Sequence, residues 1–125
     1  MQRGHQYTLC VGSNMLSEAE FAKASEAVRS TLSDERHSHV YLSPDALGRD
    51  GVKPYLNQVI RGYSMAGLEE LSLSYKRIEA DYGRNTMPSD MISVALDIDI
   101  VMADGCVLRQ HDYESAHFTE GLCAL

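Results

Sequence analysis

The strongest strand signal in the chain lies at residues 92–102, ISVALDIDIVM, and the turn pair Asp104-Gly105 follows it. Apolar and β-branched residues dominate this stretch, as they do in buried strands. Successive side chains of a strand point to opposite faces of the sheet, so Asp97 and Asp99 share one face while Ile98 lies on the other. The stretch therefore predicts a strand with one apolar face and one face that carries two carboxylates.

Strand and helix signals alternate along the rest of the chain. They first predict a strand at residues 7–11 and a helix from the capping-box pattern at 17–20 to about residue 32. A polar turn at 33–36, a β-prone stretch at 39–42 and a loop at 45–54 follow. The second half of the chain predicts a strand at 55–63, a helix at 68–82 closed by Gly83, and, after the strand at 92–102, a short C-terminal helix over 118–125. The order β-α-β-β-α-β predicts an α+β, ferredoxin-like sandwich, an antiparallel sheet with two helices on one face.

Size and composition indicate one globular domain over residues 1–125. Apolar residues make up 44% of the chain and charged residues 23%, close to the averages for globular proteins. The formal net charge of −7 disfavours nucleic acid as a partner. The sequence has neither a membrane-length apolar run nor a signal-peptide pattern at its start, so it predicts a cytoplasmic protein with no membrane partner. It gives no indication of oligomeric state.

The Asp97 and Asp99 pair is the sharpest functional feature. Two carboxylates on one strand face repel each other unless a cation lies between them, and hard oxygen ligands suit Mg²⁺. The pair therefore predicts a divalent-cation site. The alternative is a solvated outer face of an edge strand.

Three further residues are candidates for ligand binding. Tyr55 and Asn57 share a strand face and combine a flat ring with an amide that both donates and accepts hydrogen bonds, which suits a flat heterocycle. An ordinary cross-strand contact explains the same pair. Arg84 follows the predicted helix end, where it either binds phosphate or satisfies helix carbonyls.

Taken in order, five motifs resemble those of the 6-hydroxymethyl-7,8-dihydropterin pyrophosphokinase family. These enzymes transfer a pyrophosphoryl group from ATP to a pterin alcohol in folate biosynthesis. The matching segments are Tyr7-Thr8-Leu9-Cys10-Val11-Gly12-Ser13-Asn14, Tyr41-Leu42-Ser43-Pro44, Tyr55-Leu56-Asn57, Arg77-Ile78-Glu79 with Gly83-Arg84, and Leu96-Asp97-Ile98-Asp99-Ile100. The resemblance spans most of the chain and implies a ferredoxin-like fold.

The resemblance also implies a role for each matching residue. Asp97 and Asp99 would be catalytic and would hold two Mg²⁺ ions with ATP, and Arg84 would be a catalytic, nucleotide-binding cation. Ser43 and Pro44 would line the pterin pocket, Tyr55 would stack on the pterin ring, and Asn57 would hydrogen-bond its edge. Glu79 would lie on the nucleotide side. The expected small-molecule partners are therefore ATP and a pterin.

The chain departs from the family pattern ahead of its paired aspartates. Family members carry an Arg-Trp-Gly-Pro-Arg stretch there, whose arginine helps to neutralise the transferring phosphates, whereas this chain has residues 90–94, DMISV. A second family segment, similar to His-Pro-Arg, is only loosely echoed at residues 109–113. Two alternatives therefore remain: a relative that binds a pterin-like heterocycle with weak or no turnover of ATP, and a ferredoxin-like interaction module.

Overall fold

The computed structural model describes residues 4–44, 51, 53–83 and 95–125. Six strands and four helices lie in these ranges. They are β1 (His5–Ser13), α1 (Glu18–Arg29), β2 (Ser33–His37), β3 (Tyr41–Ser43), β4 (Tyr55–Ser64), α2 (Leu68–Asp81), β5 (Asp97–Ala103), β6 (Cys106–Val107), α3 (Gln110–Glu114) and α4 (Ala116–Cys123).

The strands form one antiparallel sheet in the order β2-β4-β1-β5-β6, and β3 pairs with β4 beyond the end of β2. β1 is central, with β4 on one side and β5 on the other. This order, with α1 after β1 and α2 after β4, is that of a ferredoxin-like sheet. The α+β, ferredoxin-like fold expected from the sequence is therefore confirmed.

Helices α1 and α2 cover one face of the sheet. The core on this face contains alternate residues of the three long strands, together with the apolar stripes of both helices. Leu9, Ile60 and Ile98 are examples from β1, β4 and β5, with exposed fractions of 0%, 0% and 7%. The alternation of buried residues leaves the intervening side chains, including Asp97 and Asp99, on the opposite face.

Helix α4 covers part of that opposite face. Phe118 packs there with Val59, Val101 and Cys10 in a second, smaller core. Gly121 permits the close approach, because a Cβ at this position would lie 2.3 Å from Cγ2 of Val59. The predicted C-terminal helix is thus present, and the short helix α3 precedes it.

Three sequence expectations differ from the structure. Residues 33–36 were expected to be a polar turn, but they belong to β2, which pairs with the edge of β4 through its backbone. The strand expected at 92–102 begins at Asp97, and residues 92–94 lie outside the described residues. The β-prone stretch at 39–42 is a strand only from Tyr41. The two extra strands, β2 and β6, lie at the sheet edges and leave the core topology unchanged.

Within the described ranges, the structure contains no helix long and apolar enough to cross a membrane.

Candidate active site

Asp97 and Asp99 lie side by side on β5, each half-buried. Ile98, between them, points into the core on the α1 and α2 face. Burial raises the pKa of Asp99, and the neighbouring Asp97 carboxyl, which lies close enough to hydrogen-bond it, raises this pKa further. The two carboxyl groups therefore form a closely coupled pair in which full ionisation is unfavourable without a nearby cation.

Arg109 is a nearby cation in the structure itself. Its Nε atom lies 3.7 Å from Oδ1 of Asp99, and the same nitrogen donates a hydrogen bond to Oδ2 of Asp112 on α3. Asp99, Arg109 and Asp112 thus alternate in charge across the gap between β5 and α3. The positive charge of Arg109 favours ionisation of Asp99 and partly offsets the effects of burial and Asp97.

The donor set of the aspartate pair fits Mg²⁺ bound together with a polyphosphate. In the part of the chain that the structure describes, no cluster of three or more His, Cys, Asp or Glu side chains can hold a metal ion. The protein would then supply two carboxylates and leave the other positions to phosphate oxygens and water, as is usual for Mg²⁺. This arrangement differs from a structural metal site, which the protein closes with its own ligands.

A cavity of about 230 Å³, which we call cavity A, opens on the face of the sheet that carries the aspartates. It brings together six of the eight site residues expected from the sequence: Ser43, Pro44, Tyr55, Asn57, Asp97 and Asp99. Cys10, Gly12, Asp112 and His117 complete the described lining. Residues far apart in the sequence therefore converge on one concave site.

Asn57 is fixed in the wall of cavity A. It is only 4% exposed, and its Nδ2 atom donates to Oγ of Ser43 at 2.7 Å and to the carbonyl of Tyr55 at 3.1 Å. Its Oδ1 atom lies on the side of Gly12, 3.6 Å from the point that a Cβ at Gly12 would occupy. The protein uses the donors of this amide for its own structure, so recognition of a ligand would depend on the acceptor.

Two titratable residues in the wall of cavity A are held in their neutral forms. Burial, followed by the charges of Asp99, Asp112 and Asp97, raises the pKa of Cys10 to about 12. The Cys10 thiol therefore lacks the thiolate character of a nucleophile. Burial lowers the pKa of His117, which favours the neutral imidazole.

A second cavity of about 330 Å³, which we call cavity B, lies between α2 and β5. Its lining includes Lys76 and Glu79 from α2 and Arg109 from beyond β6, together with Asp97 and Asp99. Cavity B carries two cations, whereas none of the described residues that line cavity A is Lys or Arg. Among the described residues that line the cavities, only Asp97 and Asp99 are common to both.

Glu79, on α2, lies in the wall of cavity B. Its side chain is 4% exposed, and Oε2 accepts a hydrogen bond of 2.8 Å from the backbone N–H of Ile98. This carboxylate therefore also has a structural role, because it holds β5 at the level of the aspartates. Arg84, the remaining site residue expected from the sequence, lies outside the described residues.

The site also contains residues that the sequence does not single out, among them Lys76, Arg109, Asp112 and His117. For Arg109 a signal was present. The pair Asp104-Gly105 adopts φ values of +52° and +80°, as in a two-residue hairpin turn, and pairs β5 with β6. Continuation of the register that pairs Met102 with Val107 would place Arg109 opposite Ile100, the residue that follows Asp99. Asp112 and His117 reach the site through the packing of the C-terminal helices, which no local pattern indicates.

The chain is similar to one known protein family. The family model described as 7,8-dihydro-6-hydroxymethylpterin-pyrophosphokinase matches residues 8–124 of the 125-residue chain. Among curated proteins, no sequence matches the chain. The family match runs from Thr8 within β1 past the end of α4 and includes both aspartates and the described residues that line both cavities. The chain therefore belongs to the 7,8-dihydro-6-hydroxymethylpterin-pyrophosphokinase family.

Proposed function

We propose that the protein transfers a pyrophosphoryl group from ATP to the hydroxymethyl group of 6-hydroxymethyl-7,8-dihydropterin, a step of folate biosynthesis. The observation that carries the proposal is the meeting of two cavities of different character at one pair of carboxylates. A transfer between two substrates requires each to have its own site and the reacting atoms to meet where those sites join. Family membership supports this reaction class.

Cavity A suits the pterin. Tyr55 offers a ring on which a flat heterocycle can stack, and Asn57 offers a rigid acceptor for a ring N–H or amino group. The neutral states of Cys10 and His117 fit an uncharged heterocycle. These contacts would hold the pterin with its hydroxymethyl group toward Asp97 and Asp99.

Cavity B suits the nucleotide, because Lys76 and Arg109 offer charge for its phosphates. Asp97 and Asp99 would hold Mg²⁺ with these phosphates, and two ions are expected. Bound Mg²⁺ would neutralise the charge that develops on the phosphate oxygens during transfer. Glu79, by holding the backbone of Ile98, would keep the two carboxylates in place.

In the proposed reaction the pterin hydroxyl oxygen attacks the β-phosphorus of ATP in line with the leaving group. A bond forms between that oxygen and the β-phosphorus, the bond from the β-phosphorus to the oxygen bridging to the α-phosphate breaks, and AMP leaves with the bonding electron pair. The hydroxyl proton is released to solvent. The residues of this chain act by binding and orientation, which supply most of the catalysis in phosphoryl transfer. The cytoplasmic location expected from the sequence forms part of this proposal.

The test is detection of AMP and the pterin diphosphate by mass spectrometry when the protein is mixed with ATP, Mg²⁺ and 6-hydroxymethyl-7,8-dihydropterin. The matched control substrate is 6-methyl-7,8-dihydropterin, which lacks the attacking oxygen and should yield no AMP. Asp97→Asn with Asp99→Asn should abolish both transfer and Mg²⁺-dependent binding of ATP. If this double variant binds ATP with unchanged affinity in excess Mg²⁺, the metal assignment is wrong.

A second candidate function is binding of a pterin-like heterocycle without turnover of ATP. It is favoured by the absence of the family's arginine-rich stretch at residues 90–94, which lie outside the described residues. Pterin binding by calorimetry in a protein that forms no AMP would support this candidate over the transferase. A protein that binds neither pterin nor ATP would instead be an interaction module.

A further inference from the structure

The proposed reaction requires fixed positive charge close to the transferring phosphates, and the inference below rests on that function. An arginine acting on a transferring phosphate is worth about 10³–10⁵ in rate in well-studied cases. The segment in which family members carry such an arginine has none in this chain, since residues 90–94 read DMISV. Another cation would therefore have to reach the paired aspartates.

Arg61 does not meet this requirement. Its Nε atom donates a hydrogen bond of 3.0 Å to Oγ1 of Thr8, on the face of the sheet that carries the aspartates. Thr8 lies four residues before Gly12 on β1, which corresponds to roughly 13 Å along the strand at about 3.3 Å per residue. Of the β1 residues in that span, Cys10 and Gly12 line cavity A, whereas neither Thr8 nor Arg61 lines cavity A or cavity B. Arg61 is thus held away from the site.

Arg109 meets the requirement. It lines cavity B, half of its side chain is exposed, and its Nε atom lies 3.7 Å from Oδ1 of Asp99. Its backbone is fixed to β5, because the carbonyl of Val101 accepts hydrogen bonds from the N–H groups of Leu108 and Arg109 at 2.8 and 3.4 Å. The guanidinium is therefore accessible to a ligand while its base is anchored to the strand that carries the aspartates.

Asp112 holds the guanidinium in this position. It accepts a hydrogen bond from Nε of Arg109 and is three residues away at the start of α3. A guanidinium has five N–H donors in a planar fork, more than these two carboxylate contacts use. Arg109 can thus keep its bond to Asp112 and still donate to phosphate oxygens in cavity B.

We propose that Arg109, positioned by Asp112, is the cation that binds the transferring phosphates in this chain, in place of the arginine that family members carry ahead of the paired aspartates. In the ligand-free protein Asp99 is the second anionic partner of Arg109. When phosphates bind beside Asp99, they become that partner. Arg109 contacts the substrate in this proposal, whereas Asp112 acts through Arg109 and is a positioning residue.

The first test measures binding of Mg²⁺ with α,β-methylene-ATP, whose bridging carbon prevents the transfer. Arg109→Gln should weaken this binding by about 10- to 100-fold, the loss expected for charge-assisted hydrogen bonds. Arg109→Lys should recover only part of it, because a lysine lacks the planar fork. Binding of the pterin alone, measured by calorimetry, should stay at the parent value. The matched control is Arg36→Gln, an exposed arginine on the opposite sheet edge, which should bind the nucleotide as the parent does.

The positioning role of Asp112 has its own readout. Asp112→Asn should raise the KM for ATP in the parent but not in Arg109→Gln, because Asp112 acts on the nucleotide through Arg109, and Asp112→Glu should restore part of the effect in the parent. Asp112 also lines cavity A, so the comparison of the two backgrounds, rather than the KM for the pterin, is the measurement. A purely structural role would instead lower the urea midpoint and raise the KM for ATP equally in both backgrounds, which would overturn this part of the proposal.

The outcomes separate the inference from the proposed function. A parent protein that forms no AMP, but loses nucleotide affinity on Arg109→Gln, would refute the transferase while supporting the role of Arg109 in binding phosphates. Parent-like nucleotide affinity and turnover in Arg109→Gln would overturn the inference and leave the transferase intact. Failure of the parent to bind the nucleotide with Mg²⁺ would also overturn the inference.

Discussion

The carboxylate of Glu79 on α2 accepts a hydrogen bond of 2.8 Å from the backbone N–H of Ile98, the residue between Asp97 and Asp99. Glu79 is 4% exposed, so this bond is shielded from water. β6 pairs only with Met102 and Ala103 of β5, so the Ile98 N–H lies on a part of the strand that β6 does not reach. Helix α2 therefore fixes the position of the strand at the point where its two acidic side chains project.

Glu79→Ala should destabilise the protein and disturb the aspartate pair. The substitution leaves the buried N–H of Ile98 without its carboxylate acceptor, which costs about 1–3 kcal/mol. Glu79→Gln keeps an acceptor oxygen in the same place and should reduce the free energy of unfolding by less. Urea denaturation measures the free energy of unfolding, and Glu69→Ala, an exposed residue of the same helix, serves as the control. Equal stability of Glu79→Ala and the parent would show that the bond contributes nothing.

In the metal-free protein, Asp99→Asn should reduce the loss of folding stability that accompanies a rise in pH. The pKa of Asp99 is raised in the folded state, chiefly by burial and then by Asp97. Between its unfolded and folded pKa values the folded protein binds more protons, so its free energy of unfolding falls as the pH rises through that window. The asparagine variant has no titrating group at this position. Its stability should therefore exceed that of the parent at pH 8, and the difference between the two proteins should be smaller at pH 5. Thermal unfolding in EDTA at both pH values provides the measurement, and a parallel pH dependence in the two proteins would contradict the raised pKa.

Much of the fold could be predicted because its core elements have strong periodic signals. The alternation over residues 55–63 marked β4, and the capping box at Ser17 marked the start of α1, whose Ser17 and Glu20 hydrogen bonds are both present. β2 could not be predicted in this way. Its five residues, Ser33–His37, are all polar, and it is a strand only because β4 offers a free edge for backbone pairing.

The site was predictable where one strand carries its residues. Strand alternation alone places Asp97 beside Asp99, and Tyr55 and Asn57 on one face. Strand alternation does not show that the residues of β4 and those of β5 belong to one site, because β1 lies between the two strands. Only the resemblance to a family predicted that they do. Glu79 shows the opposite case. The family pattern indicated a residue on the nucleotide side, and only the packing of α2 on β5 reveals its bond to the strand backbone.

Gly12→Ala should weaken pterin binding while the protein stays folded. A Cβ at Gly12 would lie 3.6 Å from Oδ1 of Asn57 and 3.8 Å from the carbonyl oxygen of Leu56, both ordinary contact distances. The added methyl group would therefore fit the fold but crowd the acceptor that the pterin would use. Asn57→Ala should lose about 1–3 kcal/mol of pterin binding by a different route, because it removes the acceptor itself. Calorimetry with the pterin alone measures both variants, and parent-like affinity in both would rule out Asn57 as a pterin contact.

Val94→Arg should raise turnover most in a protein that has lost Arg109. Val94 occupies the segment where family members carry an arginine, although it lies outside the described residues. Removal of one preorganised electrostatic donor commonly costs on the order of 10²–10³ in rate. If Arg109 now supplies that charge, Arg109→Gln should lose about this much, and adding Val94→Arg to it should recover part of the loss. In the parent background the same substitution should produce a smaller gain, because the charge is already present.

The measurement is kcat for the parent, both single variants and the double variant under saturating ATP, pterin and Mg²⁺. Equal gains from Val94→Arg in both backgrounds would show that the two positions act independently, and no gain in either would show that an arginine at residue 94 cannot serve the phosphates in this chain.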